Sequence, residues 1–401
     1  MARYLVEPAK RLGVCDSVDV VVVGGGIGGV ATAVAAARNG ASVCLVEKSC
    51  SLGGLATIGN VIIYLPLCDG KGNQVIKGLG EELLRLSIRD GYDQIPACWQ
   101  EGGDIQQRCK ERLRVDFNPC SYMIALEELI AQSGVGLLYD TRFCDVQKKG
   151  NLVTAVIVES KSGRQAIRCK AVVDASGDAD VCHVAGEATE SLNTNVRAGW
   201  YYYFDGQQVR VRKLSDKFDS QALCVPDGQR GYAGDNVRDV TDQMLDTRSL
   251  VAKDLQKLAA DLGRPVSPVM LATTPCFRMT RRLRADVELA TCDDHRWFDD
   301  AVGMTGDWRK AGPVYCIPYR SLVGVKTDNL LAVGRCMSSA TDLWDATRVI
   351  PTCAVTGEAA GTACALAIRH AKGRLSHLKI SQLQDQLRKQ GVLIDRHLAG
   401  A

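Results

Sequence analysis

The chain has 401 residues, of which 46% are hydrophobic and 24% are charged, and its formal net charge is +3. The length predicts two closely joined domains, and the composition is ordinary for a soluble globular protein. The small net charge argues against a nucleic-acid-binding protein, which usually carries a concentrated basic face.

The 17 cysteines are scattered along the chain, and no two of them have the C-x-x-C spacing of zinc or iron–sulfur sites. We therefore predict no metal site. Charged residues interrupt positions 1–19, so we expect no secretory signal there. Reduced thiols and a cytoplasmic location are the resulting expectations.

The chain opens with a βαβ pattern. Residues 18–23 are a β-branched run typical of a buried parallel strand, residues 30–38 are alanine-rich and predict a helix, and residues 41–46 predict a second buried strand. The stretch 18–37 is nearly long enough to span a membrane, but its glycine cluster and Asp19 favour a strand, a turn and a helix.

The middle of the first half contains helices and an irregular stretch. Residues 69–80 predict a loop, and residues 79–88 and 122–132 predict helices. Residues 95–117 have no clear period, and we interpret segment 60–120 as a lid or excursion over the site. Further strands are predicted at 136–146, 152–158, 165–169 and 171–174, with a hairpin turn at 161–163.

The pattern changes after residue 184. An aromatic run at 200–204, alternating segments and a helix near 240–262 indicate a second domain. A strand at 329–335 and an alanine-rich helix at 352–369 follow. We predict an α/β fold in which a Rossmann-like domain with a central parallel sheet, residues 1–184 and 325–401, is interrupted by a β-rich α+β substrate domain, residues 185–324.

A dinucleotide fingerprint, Gly24-x-Gly26-x-x-Gly29, lies between the first strand and the first helix. Gly24 permits the tight turn, Gly26 lets the backbone approach a pyrophosphate, and Gly29 lets the helix pack on the strand. The helix N-terminus offers free N–H groups to the phosphates. Glu47 ends the second strand at the distance where a carboxylate accepts hydrogen bonds from a ribose hydroxyl.

This fingerprint alone does not separate FAD from NAD. The next segment, residues 51–57, contains the pair Gly53-Gly54, whereas an NAD enzyme would normally turn into a helix here. A second glycine pair lets the chain run close to the ribitol or flavin end of a cofactor.

At this point the sequence resembles flavoproteins of the glutathione-reductase-like class, in particular the bacterial FAD-dependent oxidoreductase family. The resemblance is carried by segments 20–57, 174–181, 317–322, 329–335 and 348–353, in the family's order. It implies a two-dinucleotide-binding fold with an inserted β-rich substrate domain, and FAD as the cofactor.

The resemblance also implies individual contacts to FAD. Residues 175–177 would close on the adenosine, Gly334 and Arg335 would approach the pyrophosphate and ribitol, and residues 348–352 would lie beside the isoalloxazine. Pro351 suits the first turn of a helix, whose positive end would stabilise charge on the reduced flavin. The expected FAD-binding residues are Gly24, Gly26, Ile27, Gly28, Gly29, Glu47, Lys48, Gly53, Gly54, Leu55, Ala56, Thr57, Phe143, Ala175, Ser176, Gly177, Gly334, Arg335, Arg348, Pro351 and Thr352.

Segment 277–282 also matches a family segment, usually Arg-Glu-Ser/Thr-Arg-Arg, but Met279 replaces the acid. Arg281 and Arg282 could hold an anionic substrate through bidentate contacts, or could belong to a solvated basic face.

Candidates for proton transfer are few. There are five histidines, of which His183 and His295 stand near charged or glycine-rich segments, and a lone histidine is more often structural. Tyr319 and the aromatic run could line a pocket, and we take Arg281, His183 and Tyr319 as the catalytic candidates. Cys68 and Cys109 have no nearby partner and are expected to be ordinary thiols.

These observations predict an FAD-dependent oxidoreductase that transfers a hydride between a small-molecule substrate and flavin N5. One dinucleotide fingerprint argues against a built-in NAD(P)H domain, so we expect a separate electron partner or a second small molecule. An NAD-dependent dehydrogenase, a flavoprotein acting on tRNA, and a subunit with FAD in a structural or relay role stay open. We expect no nucleic-acid or membrane partner, and self-association stays open.

Overall fold

A computed structural model describes residues 7–221 and 223–400. The strands are β1 (Gly13–Ser17), β2 (Val20–Val23), β3 (Val43–Val46), β4 (Ile63–Tyr64), β5 (Val115–Asp116), β6 (Gly136–Leu138), β7 (Arg142–Lys149), β8 (Leu152–Ser160), β9 (Gly163–Arg168), β10 (Ala171–Asp174), β11 (Thr189–Ser191), β12 (Ala198–Phe204), β13 (Val209–Ser215), β14 (Ser267–Leu271), β15 (Arg281–Leu283), β16 (Ala301–Gly306), β17 (Val314–Pro318) and β18 (Leu330–Ala332). The helices are α1 (Ile27–Arg38), α2 (Leu79–Ile88), α3 (Ile105–Arg108), α4 (Pro119–Gln132), α5 (Asp180–Val184), α6 (Val237–Leu262), α7 (Thr341–Thr347), α8 (Ile350–His370), α9 (Ile380–Lys389) and α10 (Arg396–Ala399).

A five-stranded parallel sheet with the order β18-β10-β2-β3-β6 forms the centre of the protein. The β-branched run of β2 is buried along its whole length, as expected for a parallel strand covered on both faces. Because β18 comes from the C-terminal part of the chain, the sheet is assembled from both ends of the sequence. The predicted α/β class with a discontinuous central sheet is confirmed.

Helices α1 and α8 pack closely against each other beside this sheet. Their small residues allow the close approach: a Cβ on Gly357 would lie 2.3 Å from the Gly28 carbonyl oxygen, and one on Gly361 would lie 2.2 Å from that of Thr32. A larger side chain at either glycine would separate the two helices.

A second sheet, with the order β1-β9-β8-β7, lies next to the central sheet and contains the predicted hairpin of β8 and β9. The prediction of one strand over residues 136–146 is wrong, because this stretch divides into β6 of the central sheet and β7 of the second sheet. The chain bends at Asp140, which has a positive φ of 47°, and the Thr141 N–H donates to the Glu47 carbonyl oxygen.

The inserted part of the chain contains a three-stranded antiparallel sheet, β13-β12-β14, with α6 packed on it. The aromatic run 200–204 is its central strand, and the buried Tyr201 hydroxyl donates to Asp254 at 2.7 Å. The hairpin of β16 and β17 packs instead on α8 and shares its core. The exact domain boundaries stay a prediction.

Segment 60–120 divides into a buried and a surface part. Leu67, Leu83 and Phe117 are fully buried in the core shared with α1 and α8. Residues 89–112 are mostly exposed or partly exposed. The predicted lid is therefore restricted to this surface part, where it stays a prediction.

The predictions about membranes and metals can be compared with the structure over the described residues only. Over residues 7–221 and 223–400, no single helix is long and apolar enough to cross a membrane. Helices α7 and α8 together have sufficient length and apolar composition, but an 86° bend separates them. The stretch 18–37 is strand, turn and helix. No group of three or more metal-ligating side chains occurs in these ranges. The expectation of no secretory signal concerned positions 1–19, of which residues 1–6 lie outside the described residues.

Candidate functional site

The glycine turn begins where β2 ends. Gly24 has a φ of 105°, and a Cβ there would lie 2.4 Å from the Ala175 carbonyl oxygen. A Cβ on Gly29 would lie 1.8 Å from the Gly24 oxygen, whereas one on Gly26 would meet nothing within 4 Å. The absence of a side chain at Gly24 and Gly29 therefore allows the backbone segments of the turn to pack closely, and Gly26 faces open space that a phosphate can occupy.

Glu47 lies directly on this turn. One carboxylate oxygen accepts the Gly25 N–H at 2.6 Å, and the other accepts the N–H and the hydroxyl of Ser49, each at 2.7 Å. The side chain is 7% exposed, and Lys48 next to it is exposed. The carboxylate is thus fixed beside the glycine turn, in a position that suits a ribose hydroxyl.

The second glycine pair lies over the first. The Gly53 N–H donates to the Gly25 oxygen at 2.8 Å, and a Cβ on Gly54 would lie 3.3 Å from the Gly26 Cα. The short 3₁₀ turn Gly54–Ala56 follows, and the buried Thr57 hydroxyl donates back to the Leu52 oxygen. Residues separated by some 25 positions are therefore brought together around Gly26.

The loop after β10 is organised by Ser176. Its hydroxyl donates to Asp174 at 2.6 Å and accepts the N–H groups of Asp178 and Asp180 at 3.2 and 3.1 Å. The Ala175 N–H donates to Val23 at the end of β2, which places this loop against the glycine turn.

Arg335 joins this loop to the inserted segment. Its Nε donates to the Gly177 oxygen at 2.6 Å, its Nη2 pairs with Asp178 at 2.9 Å, and its Nη1 donates to the Phe277 oxygen. Because these contacts occupy most of the guanidinium donors, the Arg335 side chain orients the loop.

Gly334, two residues after β18, packs against the first turns of α8. It has a φ of 62°, its N–H donates to the Thr356 hydroxyl at 2.9 Å, and a Cβ there would lie 3.2 Å from the Cys353 Sγ. Burial raises the pKa of the Cys353 thiol to about 11, so this cysteine is a neutral packing residue.

Helix α8 begins beside Gly334, with Pro351 in its first turn. The fully buried Thr352 hydroxyl lies 2.8 Å from that of Thr305 on β16, and Arg348 forms an ion pair with the buried Asp345. The positive end of α8 therefore points into the region where the glycine segments meet.

Phe143 lies at the edge of this group. It is on β7 opposite Val158, two residues after Thr141, and it is partly buried. A cavity of about 470 Å³ next to it is lined by Tyr139, Asp140 and residues of β8 and β9, and by none of the glycine segments.

The three catalytic candidates are not brought together. Arg281 donates to the Asp178 oxygen and pairs with Asp180 at 2.6 Å, so its guanidinium is already occupied by the protein. His183 is exposed on α5, 3.5 Å from the Thr189 hydroxyl.

Tyr319 is buried, and its hydroxyl donates to the Leu375 oxygen at 3.2 Å. Burial raises the pKa of Tyr319 far above its usual value. The catalytic role predicted for it finds no support in this position.

The arginines of segment 277–282 differ in their surroundings. The interpretation of Arg282 as part of a solvated basic face is wrong, because it is 1% exposed and pairs with Glu190 and Glu288. Arg278 contacts no acid at all among the described residues. The sequence gives no signal that separates these arginines, because their partners lie far away along the chain.

The comparisons with known proteins agree with this arrangement. The family model described as FAD-dependent oxidoreductase matches residues 19–199 and 229–387. No curated protein matches the chain.

Three solved structures illustrate the structural likeness, and each is distant. A geranylgeranyl bacteriochlorophyll reductase-like protein from Thermoplasma acidophilum is 15% identical, with a TM-score of 0.46 and coverage of 96% of this chain and 90% of that one. The p-nitrophenol 4-monooxygenase from Pseudomonas putida is 14% identical, with a TM-score of 0.47 and coverage of 93% and 84%. The 3-ketosteroid-Δ4-(5α)-dehydrogenase from Rhodococcus jostii is 15% identical, with a TM-score of 0.41 and coverage of 88% and 97%.

These likenesses are too distant to support an argument about activity. The family match, in contrast, covers most of the chain and includes every glycine segment described above. The chain belongs to the FAD-dependent oxidoreductase family, and its cofactor is FAD.

Proposed function

We propose that the protein transfers a hydride between a small-molecule substrate and N5 of its FAD, with a separate electron partner or a second small molecule in place of a built-in NAD(P)H domain. The observation that carries this proposal is the packing of the glycine turn 24–29 against three other segments. Gly24 contacts Ala175, Gly26 contacts Gly54, and Gly28 contacts Gly334 and the first turn of α8. The sequence contains one dinucleotide fingerprint, which supports the absence of a second nucleotide domain.

Residues 24–29, 47, 53–54, 175–177 and 334, which we call the cradle, fit FAD. The open space at Gly26 and the free N–H groups at the start of α1 suit a pyrophosphate, and the fixed carboxylate of Glu47 suits a ribose. Gly53 and Gly54 keep side chains away from the surface over Gly26, so an extended cofactor can pass. When bound, FAD supplies the redox chemistry, and the protein binds and orients it.

The N-terminus of α8 contributes electrostatics. Its helix is 21 residues long and begins at Ile350 with Pro351 in the first turn. The dipole of such a helix stabilises negative charge near its first turn, which supports a role in stabilising charge on the reduced flavin. Thr352, held by Thr305, fixes this first turn against β16.

Anaerobic reduction of the purified protein tests the proposal. The bound cofactor is identified by its absorbance spectrum, and small acids, amines and sugars are then screened for bleaching of the flavin. We expect at least one class of small molecule to bleach it, and NADPH alone to leave it oxidised. Rapid bleaching by NADPH without substrate would contradict the proposal, and reduction by no compound would favour a relay role.

A further inference from the structure

Arg278 differs from its two neighbouring arginines because it forms no ion pair with any acid in the described part of the chain. Arg281 pairs with Asp180 and Arg282 pairs with two glutamates. Arg278 donates to the Ser215 hydroxyl at 3.0 Å and lies 3.9 Å from the centre of the Phe218 ring. Over residues 7–221 and 223–400, its contacts are with neutral groups only.

A second cation lies close to Arg278. Burial and the nearby Arg348 guanidinium lower the pKa of Arg278 to about 10. Arg348 itself pairs with Asp345, which is 0% exposed, yet the Arg348 Nε and one Asp345 carboxylate oxygen are buried without a hydrogen-bond partner. Two guanidinium groups therefore lie near one carboxylate, which pairs with Arg348 only, and the charge of these three groups is positive by one.

This positive region lies at the α8 end of the cradle. Phe277, next to Arg278, accepts a hydrogen bond from Arg335, and the Cys276 thiol donates to the Gly59 oxygen at 3.4 Å. Arg348 is the C-cap of α7 and lies two residues before the start of α8. Segment 276–278 is thus held between the loop that follows Gly53-Gly54 and the N-terminus of α8.

We propose that Arg278, with Arg348 beside it, binds the carboxylate group of an anionic small-molecule substrate. The proposal rests on the proposed function and names its substrate class. A planar guanidinium matches a carboxylate in a bidentate geometry, and a single negative charge balances the local surplus, whereas a phosphate dianion would exceed it. The Phe218 ring provides an apolar wall for the rest of such a molecule.

Calorimetric titration of the FAD-bound protein with matched probes tests this site. The probes are acetate, butyrate and benzoate, each compared with its neutral amide, and inorganic phosphate. We expect the wild type to bind the carboxylates in preference to the amides and to phosphate. Arg278→Gln should weaken carboxylate binding by roughly 10- to 100-fold, the range of one charged hydrogen-bonded contact. The carboxylate affinity of Arg278→Lys should lie between those of the wild type and Arg278→Gln.

A thermal melt separates a binding role from a structural one. Because Arg348 lies near Arg278 and no acid among the described residues forms an ion pair with it, Arg278→Gln should melt at the wild-type temperature or above it. Arg238→Gln is the matched control, since Arg238 is exposed on α6. This control should change neither carboxylate affinity nor melting.

Several results would overturn the proposal. These are equal affinity for carboxylates and amides, tighter binding of phosphate, unchanged carboxylate affinity in Arg278→Gln, or loss of FAD in that variant with carboxylate affinity intact. Flavin reduction is measured separately. If carboxylates bind but no substrate reduces the flavin, the result contradicts hydride transfer and leaves the carboxylate site standing. If only uncharged substrates reduce the flavin, the result contradicts the carboxylate site and leaves hydride transfer standing.

Discussion

Replacing Gly26 or Gly29 by alanine should weaken FAD binding in both cases but should affect the stability of the protein differently, although both glycines belong to one fingerprint. Gly26 is the N-cap of α1, with a φ of −66° that alanine adopts readily and open space around its Cβ position. Alanine is a poorer N-cap by about 0.5–1 kcal/mol, but it also restricts the unfolded chain by about 0.4–1 kcal/mol. We therefore expect Gly26→Ala to change the free energy of unfolding by less than about 1 kcal/mol.

Gly29 has no such space. Its added Cβ would lie 1.8 Å from the Gly24 oxygen, so α1 would have to move away from β2. Overpacking of this kind costs about 1–3 kcal/mol, and the displaced turn would also disturb the cradle. Gly29→Ala should thus lose both stability and FAD, whereas Gly26→Ala should lose FAD affinity by about tenfold or more because its methyl group fills the phosphate space.

Denaturant unfolding of the FAD-free proteins and fluorescence titration with FAD measure the two effects separately. Gly13→Ala is the control, because Gly13 also has open space around its Cβ position but lies on β1, outside the cradle. The reasoning is refuted if Gly26→Ala binds FAD as tightly as the wild type, or if it unfolds as easily as Gly29→Ala.

Three further predictions follow from buried polar contacts. Burial raises the pKa of Glu358 to about 7, so the folded protein favours its neutral acid; the contribution of Glu358 to the free energy of unfolding should be most favourable below about pH 4.5 and fall by up to about 3 kcal/mol as the pH rises through 7. Denaturant titrations should therefore show a difference between the wild type and Glu358→Gln that grows over this pH range. Arg335→Lys removes the guanidinium that donates to the Gly177 oxygen, and should lower FAD affinity and the free energy of unfolding by about 1–3 kcal/mol each, as measured by FAD titration and denaturant unfolding; unchanged values would contradict this role of Arg335. Ser176→Ala removes the hydroxyl that joins Asp174 to the loop, and should lower the free energy of unfolding by about 1–2 kcal/mol, whereas a neutral result would show that water replaces it.

Local patterns in the sequence predicted the elements of the first domain well. The β-branched run of β2, the alanine-rich α1 and the hairpin of β8 and β9 depend mainly on neighbouring residues. The division of residues 136–146 into two strands was not predictable in this way, because it depends on the contact between Thr141 and Glu47.

Residues of the candidate site depend even more on partners that are distant in the sequence, which local patterns do not reveal. The glycine segments carry a spacing that indicates their role, since only glycine fits such close approaches. The arginines carry no such pattern. Arg281 pairs with Asp180, about a hundred positions away, whereas Arg278 forms no ion pair within residues 7–221 and 223–400, so only the folded chain distinguishes them.

The close contact between α1 and α8 has a consequence for biosynthesis. Gly28 and Gly357, which meet at this contact, stand near opposite ends of the chain. While the ribosome is still making the inserted segment, α1 lacks the helix that covers its small residues, and Gly334 has not yet emerged. We expect cofactor capture to wait until α8 has been synthesised, so a shorter nascent chain carrying an intact fingerprint would still be unable to retain FAD.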